Sequence, residues 1–264
     1  MLDSSTNTME LSPFDKNCIA LLDAAPKRHS RHCFRSAFNH LEYTEKLLQV
    51  DPAMAIFRGI TAEEEAASGI MQCLIERKYL NAQKLDPRNH VHKNAVIPFL
   101  RILSLFHGNF HKLNNIQLRF HIKDEEGKRR LTIAIPMVVN SEEILMYPIP
   151  PLNFALSIEA KPPSYEKQIA TYLKANGVKE ILKYLRAEAN IRNKILYAGP
   201  SGYPKVIEIS PTFLSTKIAN VLILLRAYLF IFPYKESQPF VQHALDAYLS
   251  MLGTLKKRDL HVEV

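Results

Sequence analysis

Glycine is scarce in this chain, 8 among 264 residues, and neither GxxxxGK(S/T) nor GxGxxG occurs. Phosphate-cradling loops of the P-loop and dinucleotide-binding types need glycines at fixed offsets so that backbone can approach phosphate, and both are thereby excluded. HExxH and GxSxG are also absent, which removes the helix-borne zinc protease site and the hydrolase nucleophile elbow. Cysteine is limited to Cys18, Cys33 and Cys73, odd in number, widely spaced and without a CxxC pair. Neither a disulfide framework nor a zinc knuckle follows, and a reducing, cytoplasmic setting is expected. No metal or cofactor is called for.

Long apolar runs are missing as well. The longest, VLILLRAYLFIF at 221–232, is interrupted by Arg226 and falls short of the roughly 20 residues that span a bilayer, so it reads as a buried core helix and no membrane is expected. The start of the chain, MLDSSTNTMELSPFDKN, is polar and lacks the basic and apolar regions of a signal peptide.

What is present is an ordinary globular balance, 47% hydrophobic and 23% charged, with a surplus of positive charge. The chain has 34 basic against 26 acidic residues, a net charge of +8 and a pI near 9.3, producing a field that draws nucleic acid or an anionic surface.

Periodicity predicts a mainly α protein, an antiparallel helical bundle with an inserted β-hairpin. Residues 1–30 are expected to be a tail and lead-in, 31–107 the first helical part, 113–164 the hairpin insertion with its Pro-rich connection, and 165–264 the C-terminal helical part. The two helical parts are expected to form one domain. Phe34, Phe38, Leu41 and Leu48 recur at three- and four-residue spacings, the mark of an amphipathic helix. Asp51-Pro52 stops that helix and starts the next, since Asp caps well and Pro suits the first helical position; with no proline before Pro87, this second helix is expected to run about 30 residues. Leu118, Phe120 and Ile122 alternate with Arg119, His121 and Lys123, and Leu131, Ile133 and Ile135 fall at alternate positions beyond a DEEGKR turn, which predicts two strands. An isolated hairpin is marginal, so KVIEI at 205–209 is a candidate third strand. MYPIPPLNFALSIEAKPPSY at 146–165 reads as a linker or covering loop. Two last helices are expected at about 211–232, with Ser210 as cap, and about 237–257.

The C-terminal half contains IRNKILYAGPSGYP, residues 191–204: an Arg-Asn pair ending a helical run, then an aromatic and a Gly/Pro turn. Together with the acidic AEEEA at 62–66 on the second long helix, this resembles the HEPN superfamily, whose abortive-infection and toxin members are host-defence ribonucleases. The resemblance covers about 31–107 and 165–257 and omits the hairpin. It implies a homodimer acting on RNA, with Arg192 and Asn193 at the start of the motif and Tyr197 where the family places its histidine. No histidine follows until His243, so the pattern departs from the family at the group that would take the proton from a 2′-hydroxyl. Imidazole suits that task because its pKa lies near neutrality, whereas tyrosine, near 10, is a poor base at pH 7. Arg192 can hold phosphate without it. The other reading is structural: Asn193 and Lys194 cap a helix end, Tyr197 is half-buried, and GPSG is a turn.

Two further clusters bear on this. RNHVHK at 88–93 sets Arg88, His90 and His92 close together, and His90 or His92 could supply the missing imidazole; alternatively one caps the helix and faces solvent. Two His at i and i+2 diverge on a helix, which disfavours a shared metal. KRHSRHCFR at 27–35 carries Lys27, Arg28, Arg31 and Arg35, a candidate nucleic-acid-binding surface if it lies on one side with Lys128, Arg129 and Arg130 on the hairpin turn and KKR at 256–258; the plainer reading is a solvated helix face. Glu63, Glu64 and Glu65 are likewise either a solvated face or partners of Arg192 or of a Lys across the bundle. The functional expectation is RNA binding or cleavage, with a non-catalytic helical interaction module as the alternative.

Overall fold

In the computed structural model, residues 11–114, 118–125, 127–155, 165–175 and 209–259 are described, with single positions at 190, 194, 195 and 202. Seven α-helices and a three-stranded antiparallel sheet are found among them: α1 (Pro13–Ala24), α2 (His29–Leu47), α3 (Pro52–Glu76), α4 (His90–Asn114), β1 (Arg119–Glu125), β2 (Lys128–Val139), β3 (Glu142–Met146), α5 (Glu166–Ala175), α6 (Phe213–Ile231) and α7 (Pro239–Asp259). The protein is mainly helical with a small inserted sheet.

α1 falls in the stretch expected to be a lead-in. Its signals are local: the Ser12 hydroxyl accepts the Asp15 N–H at 3.1 Å and Pro13 takes the first helical position, the arrangement that satisfies exposed N–H groups at a helix start. α3 starts as expected, with the Asp51 carboxylate accepting the Met54 N–H at 3.0 Å, but ends at Glu76 rather than near Pro87. There Lys78 adopts φ 57°, and the N–H groups of Lys78 and Tyr79 turn back to the carbonyls of Ile75 and Leu74. This is a Schellman end built on lysine instead of glycine, which is why the sequence does not announce it. α6 starts two residues later than expected, at Phe213, because Ser210, Pro211 and Thr212 form a turn in which Phe213 N–H reaches Ser210 O at 2.9 Å.

α3 packs along α2 and against α6, and α6 also touches α1, α2 and β2. Glycine permits the two closest approaches of α3. A Cβ on Gly69 would lie 2.7 Å from the Phe34 ring of α2, and one on Gly59 would lie 2.7 Å from the Phe213 ring of α6. α6 is apolar around most of its circumference and is long and apolar enough to cross a membrane; here Val221, Leu224, Leu225 and Tyr228 are buried in the bundle core. Arg226, which interrupts the run, reaches Asp15 of α1 at 2.5 Å.

Among the described residues the hairpin gains a third strand, β3; of the candidate at 205–209, residues 205–208 lie outside the described residues. Asn140 and Ser141, at φ 52° and 65°, form the two-residue turn between β2 and β3, the left-handed pair whose twist suits a tight hairpin. β2 is central, and its Leu131, Thr132, Ile133 and Ala134 are buried on both faces. Phe120 on edge strand β1 is 44% exposed, touching Phe230 edge-on at 5.3 Å. The far end of the β2–β3 ribbon projects Met137, Val138, Val139, Ile144 and Met146 into solvent. The Pro-rich segment covers the bundle over its described part: Leu152 N–H donates to buried Gln238 at 2.8 Å and Phe154 stacks on Phe240 of α7.

Candidate nucleic-acid interface and a buried ionic cluster

Where α6 ends, its last carbonyls meet the C-terminal end of α3 and the β1–β2 turn. Arg77, the residue after α3, donates to the Phe232 carbonyl and lays its guanidinium over the Phe232 ring at 4.5 Å. Cations at a helix C-terminus are favoured both by the free carbonyls and by the helix dipole. Arg130 on β2 stacks over Tyr234 at 5.1 Å, and Arg129 donates to Asn17 of α1 at 3.2 Å. Gly127, at φ 73°, forms the turn that holds Lys128 beside them.

Two contiguous grooves result, of about 630 and 670 Å³, sharing Lys128, Arg130 and Pro233. Arg77, Lys128, Arg129, Arg130 and Lys235 line them against Glu236 as the one acidic lining residue. Pro26 is on the same wall, so exposed Lys27 and Arg28 leave directly from its rim. The side chains of Lys27, Arg28, Lys128 and Lys235 make no hydrogen bond or ion pair among the described residues, and each adds to a positive field on this face.

The rest of the 27–35 cluster is engaged elsewhere. Arg31 donates to the carbonyls of Leu22 and Asp23, each at 3.0 Å, closing the end of α1, and Arg35 pairs with Asp23 at 3.1 Å. Arg28 is the residue before α2 and gives it no side-chain cap. Glu76 of α3 serves instead, accepting Ser30 N–H at 3.1 Å and Ser30 O–H at 2.7 Å.

The opposite end of the bundle is arranged differently. Glu63 and Glu64 lie thirteen or more residues before Arg77 on α3, about 20 Å away at 1.5 Å rise per residue. Glu64, 2% exposed, holds His90 Nδ1 at 2.9 Å on one oxygen and Lys93 Nζ at 3.2 Å on the other. Glu63 accepts from Lys217 Nζ at 2.6 Å and from Asn220 at 2.5 Å, both on α6. Burial of these charges is tolerable because each is paired and hydrogen-bonded. Glu65 is half-buried.

His90 and His92 diverge, as i and i+2 on a helix must. The His90 side chain is 46% exposed and anchored on Glu64, while buried His92 accepts the Asp86 N–H at 3.1 Å. Among the described residues no three His, Cys, Asp or Glu side chains converge on a metal-sized site. Burial raises the thiols of Cys18 and Cys33 to about 11 and about 12, and raises Cys73 further; desolvation disfavours the thiolate, so none is an activated nucleophile. Arg192, Asn193 and Tyr197 lie outside the described residues.

Arg77, between Glu76 and Lys78, and Lys235, beside Glu236, carry no sequence signal of their own, since neither belongs to a longer basic cluster. Lys217 carried a usable signal: a lysine on a mainly apolar helix must find a carboxylate or reach water. No family model, no curated protein and no solved structure matches this chain, so the HEPN resemblance stands on its residues alone.

Proposed function

We propose that this is a HEPN-like helical protein that binds RNA, in the cytoplasm and in a defence or toxin-like setting, with the phosphate backbone lying along the grooves at the C-terminal end of α6. One observation carries the reading: Lys128, Arg129, Arg130, Arg77 and Lys235 line two joined grooves with a single carboxylate among them. Neutralising phosphates there releases counterions, which is the dominant source of sequence-independent affinity. Arg192, Asn193 and Tyr197 are the proposed degenerate motif, brought together with a second copy in a homodimer. His90, its Nδ1 held by Glu64, is the alternative imidazole for cleavage, because a carboxylate on one ring nitrogen orients the imidazole, as a general base requires.

Photocrosslinking to single-stranded RNA followed by peptide mapping tests the placement. Crosslinks are expected on peptides containing 128–130 and 235; crosslinks confined to other surfaces, or none at about 50 mM salt, where phosphate contacts are strongest, overturn it. For the motif, Arg192→Ala is expected to cut RNA binding or cleavage while leaving the fold intact, and Tyr197→His to raise cleavage. An Arg192→Ala protein that unfolds assigns that residue to the core.

A second reading, a non-catalytic protein-interaction module, is favoured by the β2–β3 ribbon. Val138 is 77% exposed, with Met137, Val139, Ile144 and Met146 beside it also exposed, and apolar patches of this kind commonly mark protein contacts.

A further inference from the structure

The ionic cluster at the far end of the bundle borders a pocket, and we propose that this pocket binds a small oxyanion of the phosphate class, independently of the RNA grooves. It has a volume of about 90 Å³ and lies between α4 and α6 beside Glu63, with Tyr172 of α5 on its wall. That is several times the roughly 10–15 Å³ needed to seat one water, and too small for a nucleobase with its sugar. Lys93 and Arg101 stand eight residues apart on α4, a spacing of i and i+8 on one helical face, and Lys217 faces them from α6.

Charge accounting sets the sign of the ligand. Glu64 neutralises Lys93 and Glu63 neutralises Lys217, which leaves the Arg101 guanidinium as an uncompensated positive charge on the lining; it is exposed and makes no hydrogen bond or ion pair among the described residues. Donor accounting agrees. The Asn94 amide nitrogen is buried at this pocket without a hydrogen-bond partner among the described residues. A buried donor left unmade costs free energy that a ligand acceptor recovers. Each lysine ammonium carries three donors, so pairing with its carboxylate leaves N–H groups over. Excess donors from two facing helices, with one net positive charge, suit an anion that offers acceptors in several directions, as a tetrahedral oxyanion does.

Titration of the full-length protein with inorganic phosphate, by calorimetry and by thermal shift against chloride at matched ionic strength, tests this. One saturable site is expected, with affinity lowered tenfold or more in both Arg101→Gln and Asn94→Leu, and unchanged in Lys128→Ala/Arg130→Ala. Arg101→Gln is the safer variant, because Arg101 is exposed and its loss strands no partner. Absence of a saturable phosphate site, or an affinity unchanged by Arg101→Gln, overturns the proposal. A nucleoside 5′-monophosphate serves as the second probe: tenfold tighter binding than phosphate assigns the site to phosphomonoesters, and equal or weaker binding assigns it to the free ion, either result supporting the site. Because the groove variant is a separate arm, failure here is distinguishable from failure of the RNA reading.

Discussion

The two ends of α6 are both rich in cations and use them in opposite ways. At the N-terminal end Lys217 and Lys93 are buried, and each is held by a carboxylate, Glu63 and Glu64. At the C-terminal end Lys128 and Lys235 are exposed, Arg77 and Arg130 lie over the rings of Phe232 and Tyr234, and among the described residues a single acid lines the grooves. Paired buried charge holds helices in register; unpaired surface charge is available to a ligand. The buried pairs at one end hold helices together, whereas Lys128 and Lys235 at the other end are exposed and removable at little cost to the fold.

The largest expected effect breaks the paired end. Glu64→Gln leaves Lys93 buried without its counter-charge, which costs about 3–5 kcal/mol, read as a fall in the urea midpoint. Adding Lys93→Met is expected to recover most of the loss, and a midpoint unchanged by Glu64→Gln contradicts the assignment. Gly69→Ala comes next. Its Cβ would sit 2.7 Å from the Phe34 ring and 3.2 Å from Ser30 O, and overpacking of this kind costs about 1–3 kcal/mol, outweighing the gain in helix propensity.

Alkaline pH probes the core between the two ends. The folded state holds Cys18 at about 11, Cys33 at about 12 and Tyr165 at about 12, against ordinary values of 9.0 and 10.0. Raised acids favour the folded state while neutral. That stability is complete below pH 9 and is lost as pH rises toward 12, when the unfolded chain sheds protons that the folded one keeps. Thermal melts across pH 8–11 are expected to hold steady up to about pH 9 and to fall progressively above it. The smallest effect belongs to Arg119–Glu143, a fully exposed pair at 2.6 Å on the sheet. Hydrogen bonding and attraction to Arg119 lower the Glu143 carboxyl, yet solvent screens such pairs, so Glu143→Gln is expected to leave the melting temperature unchanged within error.

Much of the helical frame was legible because its signals are local. Asp51-Pro52 gave the start of α3, the Phe34, Phe38 and Leu41 spacing gave α2, and alternation placed β1 and β2. Ser12-Pro13 carries the same kind of signal for α1, although it follows a polar stretch that reads as a tail. The end of α3 was not legible, because a left-handed lysine at 78 has no compositional mark. β3 was hidden by its acidic start, Glu142-Glu143, and by an Asn-Ser turn without glycine. Of the candidate site, Lys128, Arg129 and Arg130 were read as one basic turn, but their union with Arg77 and Lys235 is a tertiary fact. Spacing placed Arg31 and Arg35 on one face without revealing that the carbonyls of α1 and Asp23 would claim them.

The contrast between the two ends is tested most directly by the salt dependence of binding to a single-stranded RNA lacking a 5′-phosphate. Wild type, Lys128→Ala/Arg130→Ala and Arg101→Gln would be compared. Each lost phosphate contact lowers the slope of log affinity against log salt by about 0.7 for single strands. The groove variant is therefore expected to show a slope shallower by about 1.4 and weaker binding at every salt concentration, while Arg101→Gln keeps the wild-type slope. Equal slopes in wild type and the groove variant, or a shallower slope in Arg101→Gln alone, would contradict the account.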